Sequence, residues 1–183
     1  MTGLTSTRTA IPAGPWTVAD LDDFPEGDTT RYELIDGALI VSAEPSLQHQ
    51  RINLALARLL QDAAPADLEV LLPVDLRLSL VRQIVPDVTV VRRQELAAKR
   101  VDDVPRLVVE VLSPSTRAVD LTLKRQVLQE AGVPSYWLLE PFDLVLTVLE
   151  LEDGVYVERF RGALPYRATR PFPVLVDLAQ PRS

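Results

Sequence analysis

Apolar positions along the chain follow two periods. Short runs of Val, Ile and Leu bounded by Pro, Gly or Asp read as strands, and apolar residues recurring every three to four positions read as helices. In chain order, Trp16–Phe24 reads as a short helix behind a Thr17 cap. Tyr32–Ile35 and Ala38–Ser42 read as a hairpin around Asp36-Gly37. A helix over Leu47–Ala64 follows a Ser46 cap, with a core stripe of Ile52, Leu56, Leu59, Leu60 and Ala63; His49 lies on that stripe in the first turn. Leu68–Leu80 carries one or two strands around Pro73, and Val85–Arg92 and Arg106–Leu112 are strands. Ala118–Ala131 reads as a helix ended by Gly132-Val133-Pro134. Tyr136–Glu140 is a buried strand, Leu144–Leu151 and Val155–Phe160 form a hairpin across Asp153-Gly154, and Phe172–Leu178 is an edge strand. Met1–Pro15 has no periodicity and reads as a flexible arm, leaving residues 16–183 as a single domain. Strands interleaved with helices predict an α/β fold with a mixed β-sheet flanked by helices.

Two of the apolar runs are broken by acids. Asp87 interrupts Ile84–Val91, and Glu110 interrupts Leu107–Leu112. An ionised carboxylate in a doubly buried strand is expensive unless a cation or hydrogen-bond donors meet it. A bound metal ion between the two would meet both. The helix over Ala118–Ala131 adds a third charge. At about 100° per residue, Asp120 and Lys124 fall near the middle of the stripe formed by Leu121, Leu123, Val127, Leu128 and Ala131. That helix is therefore expected to press both side chains toward the sheet that carries Glu110.

Each of these residues has a plainer explanation. Asp87 after Pro86 is also a turn starter. Glu110 could be matched by an arginine such as Arg117. Asp120 and Lys124 stand four residues apart, the spacing of a helical salt bridge. His49 on an apolar stripe is commonly a core histidine, and Tyr136 and Trp137 read as core.

The segments YELIDGALIVS, SLQHQRINLALARLL, VPDVTVV, LVVEVLSPSTRAVDLTLK and AGVPSYWLLEP resemble the Uma2 family, a branch of the PD-(D/E)XK nuclease superfamily. The resemblance covers roughly residues 17–160. Leu112 stands where the superfamily's basic pattern has a lysine, and Lys124 matches a lysine supplied from the following helix. Leu128 stands where family members often carry Tyr. The resemblance implies a restriction-endonuclease-like core and a Mg²⁺- or Mn²⁺-dependent endonuclease acting on DNA. It also implies a site of Asp87, Glu110, Lys124, Glu33 and His49, with the ion held by Asp87, Glu110 and the Val111 carbonyl. Glu33 enters through its match to YELIDG; otherwise it reads as a solvated strand residue. Two alternatives stand beside this: a nuclease-fold DNA-binding or assembly module with little activity, and an enzyme acting on RNA or a small phosphodiester. A homodimer through the hairpin at residues 144–160 is a family-level expectation.

Composition narrows the chemistry. The chain has 183 residues and no cysteine, so thiolate metal sites are excluded and oxygen ligands or the single histidine remain, as suits Mg²⁺ or Mn²⁺. No apolar stretch long enough to span a membrane is present and no signal-peptide pattern opens the chain, so a cytoplasmic protein is expected. The net charge of −7 argues against a strong nonspecific grip on nucleic acid. Acids crowd residues 20–44 around the lone Arg31, whereas Arg82, Arg92, Arg93, Lys99 and Arg100 suggest a basic rim near the carboxylate strands. Of 19 basic residues only Lys99 and Lys124 are lysines, so a lysine on an apolar stripe points to chemistry that arginine does not supply.

Overall fold

The computed structural model describes residues 15–24, 30–42, 45–95 and 100–178. All but Pro15 of the expected N-terminal arm, and Lys99, lie outside the described residues. A short helix α1 (Val18–Asp22) follows Thr17, whose capping box with Asp20 closes the first turn. Strands β1 (Arg31–Ile35) and β2 (Ala38–Ser42) then pair across Asp36 and Gly37, both at positive φ. Helix α2 (Leu47–Ala63) starts at Ser46, whose hydroxyl accepts from the His49 amide at 3.2 Å. Four strands follow: β3 (Leu68–Leu71), β4 (Leu76–Ser79), β5 (Arg82–Ile84) and β6 (Val88–Arg92). After β7 (Leu107–Val111), α3 (Arg117–Val119), a π-helical turn (Asp120–Lys124) and α4 (Arg125–Glu130) run on as one helix. Strands β8 (Ser135–Glu140), β9 (Val145–Glu152) and β10 (Val155–Ala163) come next, then the small pair β11 (Tyr166–Ala168) and β12 (Val174–Val176).

The central sheet runs β10-β9-β8-β7-β6-β3, with β7 and β8 parallel and the other pairings antiparallel. A second sheet, β2-β1-β5-β4, lies apart from it. Side-chain alternation divides the core. Leu56 and Leu60 of α2 and Val174 and Val176 of β12 pack with Val88, Val90, Val109 and Trp137 on one face of the central sheet. On the other face, Val91, Val108, Tyr136 and Leu138 meet Val127 and Leu128 of α4 and Ile35, Leu76 and Ile84 of the second sheet. The second face is where Asp87 and Glu110 point, being in step with Val91 and Val108.

The structure sharpens several expectations from the sequence. Leu68–Leu80 splits into strands of different sheets, β3 and β4, because Pro73 cannot continue a ladder. The expected strand Val85–Arg92 begins later, at Val88: Val85, Pro86 and Asp87 form the crossing from β5, which ends at Ile84, to β6 in the other sheet. Asp87 therefore sits at the start of β6 and not within a continuous run. The wider π turn carries an extra residue, so Asp120 and Lys124 face inward as expected while Leu123 turns out to solvent. The expected strand within Phe172–Leu178 is β12 (Val174–Val176), which pairs with β11 in a separate two-stranded ribbon under α2.

Candidate active site

Strands β6 and β7 pair with Val88 opposite Val109, so one step further Asp87 stands across from Glu110. Side chains in that relation start about 5 Å apart at Cβ. The Val111 amide donates to Asp87 Oδ2 at 2.8 Å, which fixes the carboxylate against the outgoing end of β7. Parallel pairing with β8 buries Glu110 from the side opposite β6.

Lys124 is the hub of the cluster. Its Nζ lies 2.9 Å from Glu110 Oε1, 2.9 Å from Glu33 Oε1 and 3.1 Å from Asp120 Oδ1, and the lysine is 1% exposed. Glu33 comes from β1 of the second sheet, where its Oε1 also accepts from the Val85 amide at 2.8 Å. Asp120 Oδ2 accepts from the Thr116 hydroxyl at 2.8 Å, and the Tyr136 hydroxyl donates to the Asp120 carbonyl at 3.0 Å. The helical salt bridge between Asp120 and Lys124 thus exists, but it is one arm of a three-carboxylate arrangement. Glu33 is buried rather than solvated.

Asp87 is held from the other side. Arg31 NH1 and NH2 donate to its Oδ1 at 3.2 and 3.3 Å. His49 Nε2 lies 3.0 Å from Asp87 Oδ2 and 2.9 Å from the Val111 carbonyl oxygen. Facing two acceptors, Nε2 must carry a proton, so one imidazole N–H bridges two of the three expected metal ligands. Asn53, a helical turn along α2, donates from Nδ2 to His49 Nδ1 at 3.3 Å and holds the ring in that orientation.

Burial and charge pull these groups apart. Burial pushes the Asp87 carboxyl up, but the hydrogen bond and field of His49, the Arg31 guanidinium and the Val111 N–H outweigh it and hold the group below its ordinary value. Glu110 moves the opposite way: burial, with Asp87, Asp120 and Glu33 nearby, overcomes Lys124 and pushes it well above the usual carboxylate range. Asp120 is raised, chiefly by burial. Burial alone would strip the Lys124 proton, yet Glu110, Glu33 and Asp120 more than reverse this and keep it an ammonium.

The donor set suits a hard divalent ion. Glu33, Asp87, Glu110 and Asp120 are each no more than 2% exposed. Against them stand Lys124 and Arg31. With all four carboxylates ionised, the cluster lacks two positive charges. Among the described residues no three His, Asp or Glu side chains gather in a metal-holding group. An ion here would therefore draw on the main chain and on water as well as on the carboxylates, as Mg²⁺ usually does.

The cluster opens into a cleft of about 230 Å³, whose walls include Arg31, His49, Ser113, Thr116 and Phe142 besides the acids. Arg31, Asn53 and Phe142 were not singled out by sequence pattern. Arg31 was visible only as the lone base of an acidic stretch. The expected basic rim does not form at the cleft: Arg82 pairs with Asp36 and Glu130, Arg93 with Glu69 and Arg100 with Asp102, while Arg92 and Arg93 line a separate hollow with Asp67. Arg117 does not neutralise Glu110; it pairs with Glu140. Among the described residues no helix is long and apolar enough to cross a membrane.

Comparison with known proteins agrees with this architecture. A crystal structure titled as a putative nuclease belonging to DUF820, from Anabaena variabilis, superposes with a TM-score of 0.70 at 17% identity, covering 86% of this chain and 90% of that one. This likeness shows the fold. No curated protein matches the chain. The model of the Uma2 family, described as "Putative restriction endonuclease", matches residues 18–175. That match spans both sheets and every residue of the buried carboxylate–lysine cluster, and the chain belongs to the Uma2 family.

Proposed function

We propose that the cleft hydrolyses phosphodiester bonds in DNA with the help of a Mg²⁺ or Mn²⁺ ion held by Asp87, Glu110 and the Val111 carbonyl. One observation carries the reading: the carboxylate opposite Asp87 shares a buried, permanently charged lysine with two further carboxylates at the floor of an open cleft. When bound, the ion would lower the pKa of a coordinated water and offset charge building on the phosphate oxygens. Glu110, Glu33 and Asp120 hold the Lys124 pKa above its ordinary value, which favours the ammonium form. The three N–H bonds of Lys124 are taken by Glu110, Glu33 and Asp120, so its part is to offset the negative charge of the transition state from within the cluster. Glu33 fixes Lys124 and orients water beside it, and His49 positions Asp87 and the Val111 carbonyl.

The test is cleavage of plasmid and oligonucleotide DNA, with and without Mg²⁺, by the wild type and by the Asp87→Asn/Glu110→Gln double variant. Metal-dependent cleavage lost in a variant that still folds supports the reading. Nicking unchanged in the double variant contradicts it. A second reading, a nuclease-fold module that binds DNA without cutting it, is favoured by the Arg31–Asp87 pair, which already neutralises one expected ligand. It predicts DNA binding by the wild type with no metal-dependent cleavage.

A further inference from the structure

The charges at the cleft are already spent on one another. Arg31 is paired with Asp87, Lys124 with three carboxylates and Arg117 with Glu140. Duplex DNA is gripped mainly by Lys and Arg neutralising its phosphates, and a chain of net charge −7 with its local cations paired is poorly equipped for that. What the mouth offers instead is an aromatic ring.

Phe142 sits on the β8–β9 turn and is 75% exposed, yet it lines the same cleft as Asp87, Glu110 and Lys124. The chain has four phenylalanines, and the other three are spoken for. Phe24 packs on Trp16 and Tyr32, Phe160 stacks on Tyr166, and Phe172 is buried. Phe142 makes no ring contact among the described residues. A lone exposed ring is ordinary on a surface; the turn that carries this one is anchored on both sides. Gln48, in the first turn of α2, donates to the Pro141 carbonyl at 3.1 Å, and Glu140 at the other shoulder is tied to Arg117. Ser113 and Thr116 also line the cleft, but their hydroxyls are tied to each other and Thr116 donates to Asp120, which leaves the Phe142 ring as the wall free to meet a base face.

Resting on the nuclease reading, we infer that the site takes single-stranded nucleic acid, with Phe142 stacking on the base next to the scissile phosphate. Stacking on aromatic side chains is the sequence-tolerant way of holding a single strand, and each such base contributes enough to change affinity roughly tenfold. A base paired within a duplex does not offer its face to the ring.

Binding is read by fluorescence in a Glu110→Gln background, which removes one carboxylate charge and stops cleavage. Phe142→Trp places an indole at the mouth, while the native Trp16 and Trp137 are buried. The expected result is quenching of the new indole by a short single-stranded oligothymidylate and none by a blunt duplex of the same length. Phe142→Leu, apolar but without a ring, should weaken single-strand binding roughly tenfold, and Phe142→Tyr should keep it. Equal binding of duplex and single strand, or an unaffected Leu variant, overturns the inference. Cleavage is scored separately. Metal-dependent cutting that ignores Phe142→Leu sinks this inference and leaves the nuclease reading standing. Stacking in a protein that never cuts does the reverse.

Discussion

At the scale of single residues, burial treats Asp87 and Glu110 differently, and this has a sign that can be measured. Glu110 and Asp120 are raised, so their contribution to stability is full below the ordinary carboxylate range of about 4 and is lost as pH rises through their folded values. Asp87 is lowered, so its contribution is present above that range and is lost as pH falls through its folded value. Thermal melts of the metal-free protein should therefore show stability declining from mildly acidic toward neutral pH. Glu110→Gln should flatten that decline and raise the melting temperature near neutrality, because Lys124 keeps Glu33 and Asp120 as partners. Lys124→Met should do the opposite. It leaves three buried carboxylates without their cation, at a cost of about 3–5 kcal/mol near neutrality that shrinks as pH falls and protons replace the lysine. Urea unfolding at two pH values checks this. Lys124 was legible in the sequence because it broke an apolar stripe in an arginine-rich chain. Arg31 was not, because it reaches Asp87 across 56 residues of sequence and no periodicity registers such a contact.

At the scale of elements, two irregularities put the acids and the lysine in one place. Pro86 ends β5 early and lets Asp87 enter β6 facing Glu110, while the π turn presents Asp120 and Lys124 together. Period and turn chemistry foresaw most strands, the Ser46 cap and the Gly132 stop. They did not foresee the π turn, since sequence pattern assumes a constant 3.6-residue repeat. Nor did they place the start of β6 after Asp87, since the apolar run Ile84–Val91 continues on both sides of Pro86 and Asp87. Deleting Thr122, exposed within the π turn, should restore α-helical register and withdraw Lys124 from Glu33 and Glu110. Circular dichroism should report an intact fold. Metal-induced stabilisation and cleavage should both disappear; a deletion variant as active as the wild type would show that the turn does not position the lysine.

At the scale of the whole molecule, the central sheet is walled on both faces, and the cleft opens where the second sheet, α2 and the α3–α4 helix meet around the acidic ends of β6 and β7. The α/β class and the segregation of charge into a buried cluster were readable from apolar runs with acids inside them. The allocation of strands to two sheets was not, because it depends on packing between segments that share no local signal. The proposed chemistry needs a divalent ion to complete that cluster. Calorimetric titration of Mn²⁺ into the purified protein near neutral pH asks this directly. The predicted result is binding of about one ion per chain by the wild type, lost in Asp87→Asn and in Glu110→Gln. Absence of binding by the wild type, or binding that both variants retain, would contradict it.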